Sequence, residues 1–239
     1  MVREQPKQAP PPVQRLRVRY AKRGRLRFTS HRDFSRAFER AVFRARLPMA
    51  YSSGFNPHPR ISYAGAAPTG SASEAEYLEL ALAEIVDPAA VHAALDAAMP
   101  DGLDVVEVVE SPGSGLSDLL QASRWRIVLP VALEEVQTAV TAFLAAGEVP
   151  VERMTKKGLR SFDSRAAVLS LVVVPEEDGA ALDLVLRHLE PAVRPDDVLT
   201  GLTSLHPLDL VGVPLLTRLA QGPLDPATGE IGDPLRTTK

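Results

Sequence analysis

The sequence predicts an α+β protein built from two tandem ferredoxin-like halves, each a β-α-β-β-α-β succession with an antiparallel sheet. Three observations carry this expectation. Short runs of apolar/polar alternation recur along the chain, and the runs flank stretches with apolar residues at i, i+3 and i+4. The succession is readable once before, and again after, the Ser/Pro/Gly break at Ser111-Pro112-Gly113-Ser114-Gly115. The expected divisions are a disordered Pro/Gln-rich leader over 1–12, a basic half over 13–110, a linker over 111–123, a second half over 124–215 and a flexible tail over 216–239.

In the first half, Arg15-Leu16-Arg17-Val18-Arg19-Tyr20 alternates with period two, as a half-buried strand does, which places three arginines on the open face. Lys22-Arg23-Gly24 supplies a turn, and Leu26-Arg27-Phe28 resumes the alternation as a hairpin or bent strand. A helix begins at Thr29 or Ser30, where a hydroxyl can accept from free backbone N–H groups, and Asp33 adds negative charge to its first turn. Its apolar stripe is Phe34, Ala37, Phe38, Ala41, Val42 and Ala45, while Arg32, Arg36, Arg40 and Arg44 recur every fourth residue along one flank. The loop Phe55-Asn56-Pro57-His58-Pro59-Arg60 is stiffened by two prolines, which also push Asn56 and His58 toward extended geometry. Ile61–Ser73 reads as a strand and a loop, Glu76–Leu82 as a strand, Asp87-Pro88 as the start of a second helix, and Leu103–Val109 as the last strand.

The second half follows the same plan. Leu116–Ala122 adds a short helix, Trp125–Leu129 is a strand and Leu133–Ala146 a helix. Val151–Met154 and Ala166–Val174 are strands around a basic turn that holds Lys156, Lys157 and Arg160 and ends near Arg165. Ala181–Leu186 is a strand, Pro195–Leu202 a helix, and Leu208–Val213 the final strand.

Charge is distributed very unevenly. Residues 1–60 hold 15 Lys/Arg against 3 Asp/Glu, and the remainder holds 12 against 27, so an overall charge of −3 conceals a strongly basic first quarter. With Tyr20, Phe28, Tyr51 and Phe55 interleaved among the cations, this pattern favours a polyanionic partner over a merely solvated face. RNA is favoured over DNA, because a sheet platform with aromatics and arginines suits splayed single-stranded bases, and no helix-turn-helix, zinc finger or basic zipper is visible.

The stretch FTSHRDFSRAFERAVFRARLPMAYSSGFNPHPRISYA, followed by SASEAEYLEL, closely resembles an uncharacterised bacterial family associated with radical S-adenosylmethionine proteins. The resemblance covers most of residues 15–215, and the block Gly54–Pro59 is its most specific part. It implies a domain found either at the C-terminus of such a protein or as a free-standing chain, and this chain looks like the free-standing form. It contains no cysteine, which excludes a disulfide framework, a thiolate nucleophile and a cysteine-ligated iron–sulfur cluster; no cofactor is expected.

Phosphate-binding, dinucleotide-binding, nucleophile-elbow and HExxH signatures are all absent. No run of 18 apolar residues occurs, the N-terminus lacks a signal core, and the cytoplasm is the expected compartment. His31, at a helix N-terminus, could serve as acid/base, phosphate contact or cap; His58, between prolines, as a site or turn-packing residue. A metal held by the two has no supporting third ligand. Glu74 and Glu76 fit structural pairing with Arg.

The leading expectation is a non-catalytic RNA-binding module acting beside a radical S-adenosylmethionine RNA-modifying protein or in RNA processing. Its interface would comprise Arg17, Arg19, Arg27, Phe28, His31, Arg32, Arg36, Arg40, Arg44, Tyr51, Phe55, Asn56, His58 and Arg60, extended by Lys156, Lys157, Arg160 and Arg165. One alternative is a metal-independent ribonuclease that uses His31 or His58. The other is an adaptor whose basic face docks on an acidic protein.

Overall fold

The structure, a computed structural model, describes residues 8–113, 115–155, 158–210 and 212–237. The chain falls into two units: Met1–Leu119 with Asp233–Lys239, and Leu120–Gly232. Each combines helices with an antiparallel sheet.

In the first unit the elements run β1 (Gln14–Lys22), α1 (His31–Arg44), β2 (Ile61–Ala64), β3 (Ala72–Leu82), α2 (Pro88–Asp96) and β4 (Val105–Glu110), with a short α3 (Leu116–Leu119) after them. The strands lie in the order β4-β1-β3-β2, every neighbouring pair antiparallel. Alternation along β1 sends Leu16, Val18 and Tyr20 into a core shared with Phe34, Phe38 and Val42 of α1 and Val91 and Leu95 of α2. Phe38 has no exposed surface, and truncating a buried aromatic of this kind costs about 3–5 kcal/mol. Tyr20 belongs to this core rather than to an RNA-facing surface: its ring stacks on Phe34 at 4.2 Å between centroids.

The segment Gly24–Phe28 is a 3-10 helix, not a continuation of β1. Its turn is held by the Leu26 N–H donating to the Arg23 carbonyl at 3.0 Å. The structure also corrects the expected open arginine face. Arg15, Arg17 and Arg19 do alternate away from the core, but Arg17 is completely buried. The C-terminal residues cover it: its Nη1 donates to the carbonyls of Pro234 (2.5 Å) and Thr237 (3.4 Å), and Leu235 beside them is fully buried. Glu79, directly opposite on β3, supplies a carboxylate 3.9 Å from Arg17 Nε and accepts a hydrogen bond from Arg15 Nη1 at 2.9 Å. Burial lowers the Arg17 guanidinium pKa from its usual value, against the opposing pull of Glu79 and Asp233.

In the second unit, β5 (Ala122–Leu129), α4 (Leu133–Ala145), β8 (Val168–Glu176), β9 (Gly179–Arg187), α5 (Pro195–Leu205) and β10 (Leu215–Gly222) follow the same alternation, and the strands lie β10-β5-β9-β8. A separate two-stranded hairpin, β6 (Pro150–Thr155) with β7 (Gly158–Asp163), is inserted between α4 and β8. The expected basic turn is therefore in large part the second strand of a hairpin. Helices α4 and α5 pack closely at Gly201, where a Cβ would lie 2.6 Å from Ser164 Oγ and 3.0 Å from Phe143 Cε2. The final strand is Leu215–Gly222 instead of Leu208–Val213, and it runs through the beginning of the expected tail. Pairing with β5 selects it, in a register that sets Leu216 opposite Ile127 and Arg218 opposite Trp125. No helix among the described residues is long and apolar enough to cross a membrane.

Candidate nucleic-acid interface

Helix α1 is built to present one face to solvent. Ser30 caps it: its Oγ accepts from the Asp33 N–H at 3.2 Å and donates to the Asp33 carboxylate at 2.7 Å, so both groups of the first turn are used. At the other end the Arg46 N–H donates to the Phe43 carbonyl (3.1 Å) and the Leu47 N–H to the Val42 carbonyl (3.3 Å). This is a Schellman closure, and it puts Arg46 at φ 53°, a left-handed position that glycine usually fills.

On the flank opposite the core, Arg32, Arg36, Arg40 and Arg44 are all exposed. Arg32, Arg36 and Arg40 form no ion pair among the described residues, and Arg44 donates only to the Ala98 carbonyl at 3.4 Å. Three successive i, i+4 like-charge pairs each destabilise a helix by about 0.2–0.5 kcal/mol. The sequence therefore keeps a row of cations of which Arg32, Arg36 and Arg40 have no ion-pair partner among the described residues. Arg23 shows the contrast, since its guanidinium is gripped by Glu74 (Nε at 2.8 Å) and Asp104 (2.6 Å). Glu74 thus takes the structural pairing expected of it, while Glu76 is buried and accepts from the Ala67 N–H at 3.2 Å.

Beside these arginines stands Phe43, 82% exposed. It lies outside the apolar stripe and went unrecognised as a site residue in the sequence, although an aromatic ring between Arg40 and Arg44 and off the buried face was the available signal. Phe43 borders two hollows. One is formed with Arg36, Glu39, Arg40 and Arg44. The other, about 560 Å³, is shared with Glu39, Val42, Arg46, Leu47, Met49, Tyr51 and Pro59 and so joins α1 to the proline-rich loop.

That loop is pinned at its base. Tyr51 and Pro59 form a bridge, the Ser52 N–H donates to the His58 carbonyl (2.9 Å), and the His58 N–H donates to Ser52 Oγ (3.0 Å). The Arg60 N–H donates to the Ala50 carbonyl at 2.8 Å, and the Ala81 N–H to the Arg60 carbonyl at 3.0 Å, which fastens the loop to β3. Gly54 turns at φ 127°, a conformation side-chain-bearing residues rarely adopt. Both backbone groups of His58 are thereby used, while its imidazole is exposed and has no hydrogen-bond partner among the described residues. Phe55 (67%), Tyr51 (46%) and Asn56 are exposed around it, and Arg60 is half-buried.

The remaining candidates are placed elsewhere. His31, exposed at the start of α1, meets the edge of the Tyr63 ring at 5.1 Å, and burial pushes the Tyr63 hydroxyl up to about 12. Arg27 lies over the Phe28 ring at 4.5 Å, with Phe28 59% exposed. Arg19 is half-buried on the sheet face away from α1, and Arg17 is inaccessible. Lys156 and Lys157 lie outside the described residues. Arg160 is exposed on β7, whereas Arg165 is half-buried and donates to the Val168 carbonyl at 3.1 Å. Arg153, the first cation of that basic segment, is structural: it pairs with Asp197, donates to the Ala192 carbonyl at 2.9 Å and covers Phe162 at 4.7 Å. Among the described residues no cluster of three or more His, Asp or Glu side chains is arranged to hold a metal ion.

The structure thus joins Arg36, Arg40, Arg44 and Tyr51 around Phe43, and sets the Phe55–His58 tip on a fixed loop base. Residues 15–195 match the family model described as an uncharacterized protein conserved in bacteria (DUF2344). No curated protein matches the chain.

Proposed function

The chain belongs to this uncharacterised bacterial family, and from its α1 face we propose that it is an RNA-binding module. The observation that carries the reading is the row of exposed arginines on α1, of which Arg32, Arg36 and Arg40 have no ion pair among the described residues. A helix that tolerates such repulsion gains from a ligand that neutralises it, and a phosphate backbone presents anions serially, as the helix presents cations. Exposed Phe43, Tyr51 and Phe55 add the stacking surfaces that single strands use. Two further elements complete the proposal. The shared β-α-β-β-α-β succession and matching strand orders support reading both units as ferredoxin-like. The likeness of the Phe28–Ala64 stretch to proteins associated with radical S-adenosylmethionine enzymes supports an accessory role beside such an RNA-modifying protein.

The test is a fluorescence-anisotropy titration of the whole chain with a single-stranded RNA oligomer over a range of salt concentrations. Four phosphate contacts predict a log–log slope of about −3. No binding at low salt, or a slope near zero, removes the proposal.

A further inference from the structure

The Phe43 side chain places an 82% exposed ring on a helix whose other large apolar side chains, Phe34, Phe38 and Val42, are buried. Folding does not need it there, since a solvent-exposed phenylalanine contributes almost none of its transfer free energy to the core. Its surroundings are divided. On one side are the cations Arg36, Arg40 and Arg44; on the other is a hollow of about 560 Å³ lined by Val42, Leu47, Met49, Tyr51 and Pro59 together with Arg46, and the single carboxylate Glu39 borders both sides. A ligand suited to this site needs a flat apolar body to cover the ring and negative charge to meet the cations within a helical turn. An unpaired nucleobase on its own phosphodiester backbone has both. A duplex does not, because its base faces are already stacked inside the helix.

Arg46 sharpens the argument. It borders the same hollow and holds a left-handed φ of 53° at the closure of α1, where glycine would be unstrained. A cation is therefore present at the hollow in spite of the local backbone preference. Together with Arg36, Arg40 and Arg44 it gives Phe43 cations on both sides, four against the one carboxylate, Glu39, that borders both hollows.

Resting on the RNA reading above, we infer that Phe43 is a base-stacking residue that makes the surface selective for unpaired bases, with one base lying over its ring beside the Tyr51 hollow. The arginines then supply charge, and Phe43 supplies the discrimination between single strand and duplex.

The experiment measures the whole chain and its Phe43→Ala and Phe43→Tyr variants against three probes of equal length: a single-stranded RNA oligomer, the same oligomer in a duplex, and an abasic ribose-phosphate oligomer. Phe43→Ala is expected to weaken single-strand binding about tenfold, the scale of one lost base–aromatic stack, while the salt slope and the abasic affinity stay unchanged. Phe43→Tyr retains the wild-type affinity, and a 2-aminopurine base in the single strand is quenched by wild type and Tyr but not by Ala. Single-strand affinity unchanged in Phe43→Ala, or equal losses for base-bearing and abasic probes, overturns the inference while leaving the RNA proposal intact. Absence of binding to all three probes, with an acidic protein bound instead, overturns both.

Discussion

Removing two central arginines of α1 should make the protein more stable and a poorer RNA binder at once. Arg36 and Arg40 take part in all three i, i+4 repulsions along the flank, between 32 and 36, 36 and 40, and 40 and 44. Relieving them is worth about 0.6–1.5 kcal/mol, and losing the i, i+3 attractions of Arg36 for Asp33 and Glu39 returns about 0.4–1 kcal/mol. The Arg36→Gln/Arg40→Gln protein should thus gain about 0.2–0.5 kcal/mol, or about 1–2 °C in the calorimetric transition of the first unit. Neither side chain makes a hydrogen bond or ion pair among the described residues that would be lost in exchange. Binding should move the other way. Two fewer phosphate contacts flatten the single-strand salt slope by about 1.4, which at 0.1 M salt is about a twentyfold loss relative to a 1 M reference. Calorimetry and salt-dependent anisotropy on the same preparations measure both quantities. A variant that is less stable than wild type yet binds RNA equally well refutes the reasoning, because the arginines would then serve the fold and not a ligand.

Other consequences are local. Leu235→Ala, which empties a fully buried site over Arg17, should cost about 2–4 kcal/mol in the first unit, measured by urea denaturation; a change below about 0.5 kcal/mol would mean that the C-terminal segment does not pack there. Arg46→Gly should stabilise by about 0.5–1 kcal/mol by relieving the left-handed strain while lowering RNA affinity, and a loss of stability would contradict the strain assignment. In the second unit, burial chiefly depresses the His188 pKa, although the imidazole contacts the Leu120 carbonyl (2.7 Å) and Ser123 Oγ (3.0 Å). A histidine whose folded pKa is lowered favours the unfolded state as it protonates. Stability should therefore hold above the ordinary imidazole value of about 6.5 and fall as the pH drops below it. In His188→Gln that dependence should shrink, and an unaltered pH profile would exclude the residue as its source.

The elements legible from local pattern are those whose cause is local. The α1 stripe and its Ser30 cap lie within a few turns of each other, and the loop prolines act on their own neighbours, so periodicity and residue type were enough to place them. Features set by distant partners were not legible. Nothing near Arg17 indicates that Pro234 and Thr237, more than 200 residues later, will supply its carbonyl partners and close the expected open face. The final strand was misplaced for the same reason: Leu208–Val213 carries an adequate apolar pattern, but pairing with β5 selects Leu215–Gly222. In the candidate site, grouping Tyr20 with the aromatics interleaved among the cations overlooked its inward place on β1, and Phe43 was not singled out. The helical angle separating Phe43 from the buried stripe distinguishes the two cases.

Photo-crosslinking of the whole chain to a 4-thiouridine-bearing single-stranded RNA, followed by mass-spectrometric mapping of the adducts, tests RNA recognition at α1 and its loop most directly. Adducts should concentrate in peptides spanning residues 36–60, above all at Phe43, Tyr51 and Phe55, and should disappear in 1 M salt. Adducts confined to the β6–β7 hairpin, or a yield no higher than with a chain denatured beforehand, would contradict it.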